Sequence, residues 1–509
     1  MICFRRYRIK YNARLVKKQY GIKQLNKMKT IFQLLAIITI LFIGCKNKTN
    51  SNDAADPLKN RLESYLDECN KNGLSASILV AKNGEILYNG GVGLRNKNEN
   101  LPVTEETVFT TGSLTKQFTA TAILKLQEEG RLSVTDSISK FFENIPKDKQ
   151  NITIHQLLTH SSGIVGNLGY GVDFLPISKA DFLNEVYNSP LDFEPGDEFS
   201  YSNVGYSILA MIIEKVAQTD YETYLQENLF QKAGMQHTGY LLPKWDTTQI
   251  AHGYKCGEDW GTHLLKWQAD SNQISWHLKG NGGILSNPSD LFKWYKALKE
   301  NKIISKKSFE QLTFPHIKEH KSGHSYYAYG WTIMDSDRNT KIIAHNGSNG
   351  VFYADFIQLP EENTVIIYMT NELRYDTQIV AWEIEQLLFK EDYTSVVPKM
   401  KSIKHGSTDV ANKQLEIIHQ FVELILTDDG NIDDFINAHV ANKERERRFK
   451  MWVKDMQHEF SGYKLNHVLE YGDMSYDIVL ESKDGKIVGL TPCFDLQFNK
   501  NNQIVAFGW

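Results

Sequence analysis

Ser113-Leu114-Thr115-Lys116 sets a hydroxyl and an ammonium three residues apart, so a helix beginning there carries both on one face. Turn-like Thr110-Thr111-Gly112 precedes it, and Phe118, Ala120, Ala122, Ile123, Leu124 and Leu126 follow, which predicts a helix from Ser113 to about Glu129. A serine in the first turn lies at the positive end of the helix dipole, near unpaired N–H groups that can receive an oxyanion. A lysine neutralised by burial can take the hydroxyl proton. The spacing alone is not selective, because Ser137–Lys140 and Ser461–Lys464 share it.

A second element, Tyr201-Ser202-Asn203, is the only Tyr-x-Asn among 24 tyrosines. It follows the turn Phe193-Glu194-Pro195-Gly196-Asp197 and precedes a helix, so it is expected on a loop. There a tyrosine can relay a proton to a leaving group and an amide can hold a carbonyl. The plainer reading makes Tyr201 a half-buried aromatic and Asn203 a turn or N-cap residue. A third element, His345-Asn346-Gly347-Ser348, lies between two alternating strands. Gly347 would let the strand pass close to a substrate, Ser348 N–H is a second oxyanion donor, and His345 offers a polar head. Lys321-Ser322-Gly323 is the rival for this place. His316, His320 and His324 recur every four residues, but Pro315 and Gly323 interrupt the face and no carboxylate completes a metal set.

These residues need a scaffold. A helical stripe runs through Leu58, Leu62, Tyr65 and Leu66, and a hairpin follows, with 75–82 and 85–90 flanking Asn83-Gly84. Helices are expected at 154–158, 181–187, 206–217 and 221–230. Strands are expected at 327–334, 341–344, 351–358 and 364–370, and 377–388 reads as an amphipathic helix. Residues 393–410 look like a linker. Beyond it, 414–427 and 445–460 read as helices and 475–480, 487–490 and 504–507 as short strands. No second nucleophile, metal set or phosphate loop stands out in 411–509, and no cofactor motif in the whole chain.

The three motifs, in this order, resemble the serine β-lactamase-related hydrolases, a group that includes AmpC-type β-lactamases, D,D-carboxypeptidases, D-aminopeptidases and esterases. The resemblance runs from about Asp56 to Leu388. It extends to Val108–Thr119, Ile152–Gly163, Phe193–Asn203 and Gly280–Ser286. It implies an α+β fold: an antiparallel sheet flanked by helices plus a helical subdomain, here followed by a small α+β domain. It also implies that Ser113 is acylated, that Lys116 and Tyr201 share base and acid duty, and that Asn203 orients the substrate. His345, Gly347 and Ser348 would bind the substrate's polar end and its oxyanion. His160-Ser161-Ser162-Gly163 would be structural. Many β-lactamases and D,D-peptidases of the group carry Lys where this chain carries His345, and a largely neutral imidazole holds a substrate carboxylate less firmly. The expected activity is therefore cleavage of an ester or amide bond through an acyl-enzyme. D,D-carboxypeptidase or β-lactamase action is the alternative, and an inactive sensor of peptidoglycan or peptides is the alternative of another class.

The chain's 509 residues leave room for two to four domains of ~100–200 residues, and 41% hydrophobic content supports sizeable cores. The formal charge of -4 averages two unlike pieces. Residues 1–29 hold ten Lys or Arg and no acid, leaving 47 cations against 61 acids, or -14, in the remainder. A body this acidic argues against nucleic-acid binding. The basic head and the apolar run 30–45, too short for a span, predict a signal peptide over 1–44. Gly44-Cys45 resembles a lipoprotein signal, which implies lipidation of Cys45, a tether over 45–55 and an exported, periplasm-facing protein anchored to the bacterial envelope. The hydrolase domain is then 56–392, acting on a small ester, a peptide or a peptidoglycan fragment. Cys69, Cys256 and Cys493 permit at most one disulfide and show no CxxC spacing.

Overall fold

The computed structural model describes residues 57–508 except 170–172, 256, 271–272, 405–412, 428–430, several positions between 442 and 461, 472–474 and 483–492. The expected signal peptide, Cys45, the tether and the strand 487–490 lie outside the described residues.

Helix α1 (Pro57–Lys71) leads into strands β1 (Ala76–Lys82) and β2 (Glu85–Val92). Asn83 and Gly84 join the strands with φ of 53° and 84°, as their turn requires. The central segment supplies helices α2 (Thr115–Glu128) and α3 (Asn203–Ala217) among shorter ones. The sheet is completed by β3 (Ile317–Lys318), β4 (Tyr326–Tyr327), β5 (Thr332–Asp335), β6 (Lys341–Ser348), β7 (Tyr353–Leu359) and β8 (Thr364–Thr370). Its eight strands run β2-β1-β8-β7-β6-β5-β4-β3, and every pairing is antiparallel. The expected fold class is therefore the one found.

Alternate residues explain the layers. Leu79, Phe356 and Ile367 face a core shared with α2 and α3. Ile78, Ile357 and Ile366 face the opposite side, against α1 and α4 (Val380–Phe389). Both faces of β7 and β8 are covered, so every residue of these strands is buried and most are apolar. Truncating such a fully buried isoleucine to alanine costs ~2–5 kcal/mol.

One expected strand is two. Residues 327–334 divide into β4 and β5 because Gly330, at φ +74°, turns the chain. A Cβ there would lie 2.9 Å from the Lys116 carbonyl carbon, so the turn presses directly on α2. The expected linker also carries structure: β9 (Met400–Lys404) pairs with β10 (Lys464–Tyr471) at the edge of a second sheet. Its polar, lysine-rich sequence reads as linker because edge strands favour such residues. That sheet continues through β11 (Ser475–Glu481), β12 (Cys493–Phe498) and β13 (Ile504–Gly508). With α5 (Lys413–Thr427) and α6 (Ile432–His439) it has its own core of Ile418, Phe421, Phe435, Tyr476, Ile478 and Leu496. Cys69 is buried and free. Among the described residues no helix is long and apolar enough to cross a membrane.

Candidate active site

Ser113 sits in a 3-10 turn, Gly112–Leu114, that continues into α2 at Thr115, so the first turn is tighter than the helix expected from the sequence. Lys116, one turn on, is fully buried. Its Nζ meets Ser113 Oγ at 3.1 Å, Asn203 Oδ1 at 2.7 Å and the Asn281 carbonyl at 2.8 Å. Two of these partners only accept. An amine donating to both has spent two protons, and Ser113 can donate to what remains. Desolvation pushes the Lys116 pKa well below its usual value, and the charge of Asp173 opposes this only in part. Burial favours the neutral amine, which can donate to the two carbonyl oxygens and turn its lone pair to the Ser113 hydroxyl.

Asn203 opens α3 rather than lying on a loop. Ser202 is the N-cap, its side chain accepting from Gly205 N–H. The cap aims Asn203 Oδ1 at Lys116, while Asn203 Nδ2 donates to Asn167 Oδ1 at 2.9 Å. Just before the cap, the Tyr201 ring lies 4.6 Å from Lys116 Nζ, with its hydroxyl beside the Ser113 side chain. Burial raises the Tyr201 pKa well above the ordinary phenol value, so it stays a phenol. Its placement depends on His160, which takes φ +57°, accepts Ser202 N–H on Nδ1 at 3.0 Å and packs 4.2 Å from the Tyr201 ring. The segment 160–163 thus holds Tyr201 from behind.

His345 lies within β6, which runs four residues past the expected strand end. Its Nδ1 must donate to the Asn346 carbonyl at 2.6 Å, since that partner only accepts, and Nε2 therefore accepts from the Tyr327 hydroxyl at 3.0 Å. Both nitrogens are engaged inside the protein, so the polar head expected to meet substrate is turned inward. Burial, with Lys116 nearby, lowers its pKa to about 4. The strand's closeness to the nucleophile is set by two glycines. A Cβ on Gly347 would stand 1.9 Å from Thr111 O and 2.8 Å from Ser113 N, and one on Gly112 would stand 2.5 Å from Ser348 N. The amides of Ser113 and Ser348 are thereby brought side by side.

The competing motifs fall elsewhere. Lys321 is 92% exposed and pairs with Glu198 at 3.1 Å. Lys140 pairs with Asp136 at 2.7 Å on the surface, and Ser461 is outside the described residues. His316 stacks on Tyr329 with centroids 4.2 Å apart and meets the Gln311 carbonyl at 3.0 Å. Sequence reasoning missed Asn281 and Tyr327. Asn281 had a signal, since it stands in Gly280-Asn281-Gly282-Gly283, where Gly280 and Gly283 adopt φ of 87° and 85°. Tyr327, inside a tyrosine-rich stretch, had none.

A hydroxyl–amine pair with a buried amine beneath an antiparallel sheet, with a phenol close by and two amides beside it, has the parts that a serine hydrolase of the acyl-transfer type requires. The β-lactamase family profile matches residues 60–388. Penicillin-binding protein 4* of Bacillus subtilis is 28% identical over 375 residues, covering 71% of this chain and 81% of that protein. A penicillin-binding protein from Bacillus halodurans superposes with a TM-score of 0.53 at 26% identity, over 64% of this chain and 97% of that one. The D-amino acid amidase of Ochrobactrum anthropi, solved with D-phenylalanine, superposes with a TM-score of 0.53 at 19% identity, over 62% of this chain and 92% of that one. The chain belongs to the β-lactamase family, as a serine hydrolase of the β-lactamase and penicillin-binding-protein type.

Proposed function

We propose that this protein cleaves an ester or amide bond through an acyl-enzyme on Ser113. Lys116 takes the Ser113 proton as Oγ attacks the carbonyl carbon. The oxyanion forms against the N–H groups of Ser113 and Ser348, and the Tyr201 phenol passes a proton to the leaving group as its bond breaks. Water then releases the acyl group by the reverse route. General-base help contributes ~10²–10⁴-fold and an oxyanion donor ~10²–10³-fold. The observation that carries this reading is the buried Lys116 Nζ held between Ser113 Oγ and two carbonyl oxygens. A fluorophosphonate probe tests it. Wild type is expected to label and Ser113→Ala to lose the label, while equal labelling of the two contradicts it.

Neutral acyl groups or amides suit the site better than penicillins or C-terminal D-Ala peptides, since His345 is uncharged and offers no free donor. Amidase action in a fold neighbour is in keeping with this choice. An intact Ser113–Lys116–Tyr201 constellation favours an enzyme over an inactive sensor. We also propose that Cys45 is lipidated and that the protein faces the periplasm, because a basic head and a short apolar run end at Gly44-Cys45. Loss of labelled fatty acid in Cys45→Ala tests that.

A further inference from the structure

Ser348, whose amide faces the nucleophile, is the last residue of β6, and the turn 349–352 leads from it into β7. Asn349 organises this turn. Its Oδ1 accepts from Val351 N–H at 3.1 Å and from Phe352 N–H at 2.7 Å, while Gly350 N–H donates to Ser348 Oγ at 3.1 Å. With its oxygen engaged inside the turn, Asn349 directs its Nδ2 outward, where it meets His263 Nε2. The far side of the turn is tied through backbone, Leu373 N–H donating to the Val351 carbonyl at 2.6 Å. The near side, next to Ser348, is tied through Asn349 to His263.

His263 opens the helix His263–Asp270 and is 2% exposed. Aromatic rings surround it: the centroids of Trp260 and Trp267 each lie 5.3 Å away, that of Phe174 5.1 Å and that of Phe352 5.9 Å. Asn349 Nδ2 can only donate, so His263 Nε2 accepts and the ring proton sits on Nδ1. That Nδ1–H is buried with no hydrogen-bond partner among the described residues. An unpaired buried donor is costly, and phenylalanine would fill an aromatic box without that cost. The imidazole is therefore explained by its acceptor, not by its packing. Burial, with the Lys266 charge nearby, lowers its pKa to about 3, which keeps the acceptor lone pair free at neutral pH.

Two oxyanion donors must converge on one oxygen, each ~2.7–3.1 Å from it. Ser348 N is pressed against the 3-10 turn of the nucleophile, where a Cβ on Gly112 would stand 2.5 Å from it. A turn that pivots at Asn349 swings this amide away from the Ser113 amide. We infer that His263 is a positioning residue for acyl transfer, which holds the Ser348 amide against the oxyanion through Asn349. The inference rests on the reading of Ser113 as nucleophile and of Ser348 N–H as oxyanion donor.

Two substitutions test it with p-nitrophenyl acetate as substrate. His263→Phe keeps the ring packing and removes the acceptor, whereas His263→Gln can place Oε1 where Nε2 stood. His263→Phe should lose ~10–100-fold in kcat with KM near that of wild type, and His263→Gln should recover much of the loss. Wild-type kcat in His263→Phe, a loss confined to KM, or no recovery in His263→Gln overturns the inference. Imidazole nitrogen NMR of the wild-type protein needs no variant to fold: His263 should carry its proton on Nδ1 and none on Nε2, and the opposite tautomer also overturns it. Fluorophosphonate labelling read in parallel separates the two claims. Labelled Ser113 with undiminished kcat in His263→Phe sinks only the role of His263, whereas no labelling of wild type sinks the nucleophile reading and this inference with it.

Discussion

A neutral Lys116 must gain a proton as Ser113 loses one, so the pH dependence of acylation reports the titration of this amine. Acylation should rise with pH and reach a plateau governed by a pKa well below that of a free lysine, because desolvation disfavours the ammonium. A limb still rising at the ordinary lysine value contradicts this. Lys116→Ala should lower kcat/KM for p-nitrophenyl acetate by ~10²–10⁴-fold, and Lys116→Arg should not rescue it, since guanidinium stays protonated. His345 makes a separate stability prediction. Its folded pKa of about 4 lies below the unfolded value near 6.5, so stability is full above about pH 6.5 and is lost as pH falls toward 4. The loss is on the order of 3 kcal/mol, and urea unfolding of wild type and His345→Gln across that range measures it. Ser113, Lys116 and Tyr201 were legible from the order of three motifs and the family resemblance they carry, since the Ser-x-x-Lys spacing alone recurs elsewhere in the chain. The Asn281 carbonyl and the Tyr327 hydroxyl were not, because a backbone acceptor has no signature and Tyr327 meets His345 only through the pairing of strands.

At the scale of elements, the site depends on how closely β6 passes the 3-10 turn before α2. Gly347→Ala puts a methyl against Thr111 O, so strand and turn must separate. The expected cost is ~1–3 kcal/mol of stability and ~10²–10³-fold in kcat through the displaced Ser348 amide. Thermal unfolding and ester kinetics on the same preparation check both, and wild-type kcat in Gly347→Ala contradicts the close-approach argument. The first hairpin and the late strands were readable from alternation and from Asn83-Gly84. The break at Gly330 was not, because apolar residues continue through the turn from Tyr329 to Trp331. Strands β10 and β12 were also missed. Their Lys464-Leu465-Asn466-His467 and Cys493-Phe494-Asp495-Leu496 place polar residues where no alternation of useful length survives.

Across the whole molecule, the sheet is covered on both faces, and the face against α1 and α4 buries a carboxylate. Asp355 accepts from the Tyr353 hydroxyl at 3.1 Å, its other oxygen has no partner, and burial raises its pKa to about 8. A raised carboxyl pKa adds stability that is full below about pH 4 and is lost as pH rises to about 8. Asp355→Asn should therefore gain on wild type by more than about 1 kcal/mol between pH 5 and 8, read by urea unfolding at both. An unchanged difference contradicts this burial argument. An α+β pattern in the last hundred residues and the acidity of the chain after residue 29 were legible from composition and pattern, while the strand inside the expected linker was not. The central claim is a covalent intermediate on Ser113 formed with the help of Lys116. Its most direct test is rapid-quench mass spectrometry with p-nitrophenyl acetate. One acetyl group should appear on the peptide carrying Ser113 in wild type, be absent in Ser113→Ala and form far more slowly in Lys116→Ala. Turnover without that adduct, or acetylation at wild-type rate in Lys116→Ala, would contradict the account.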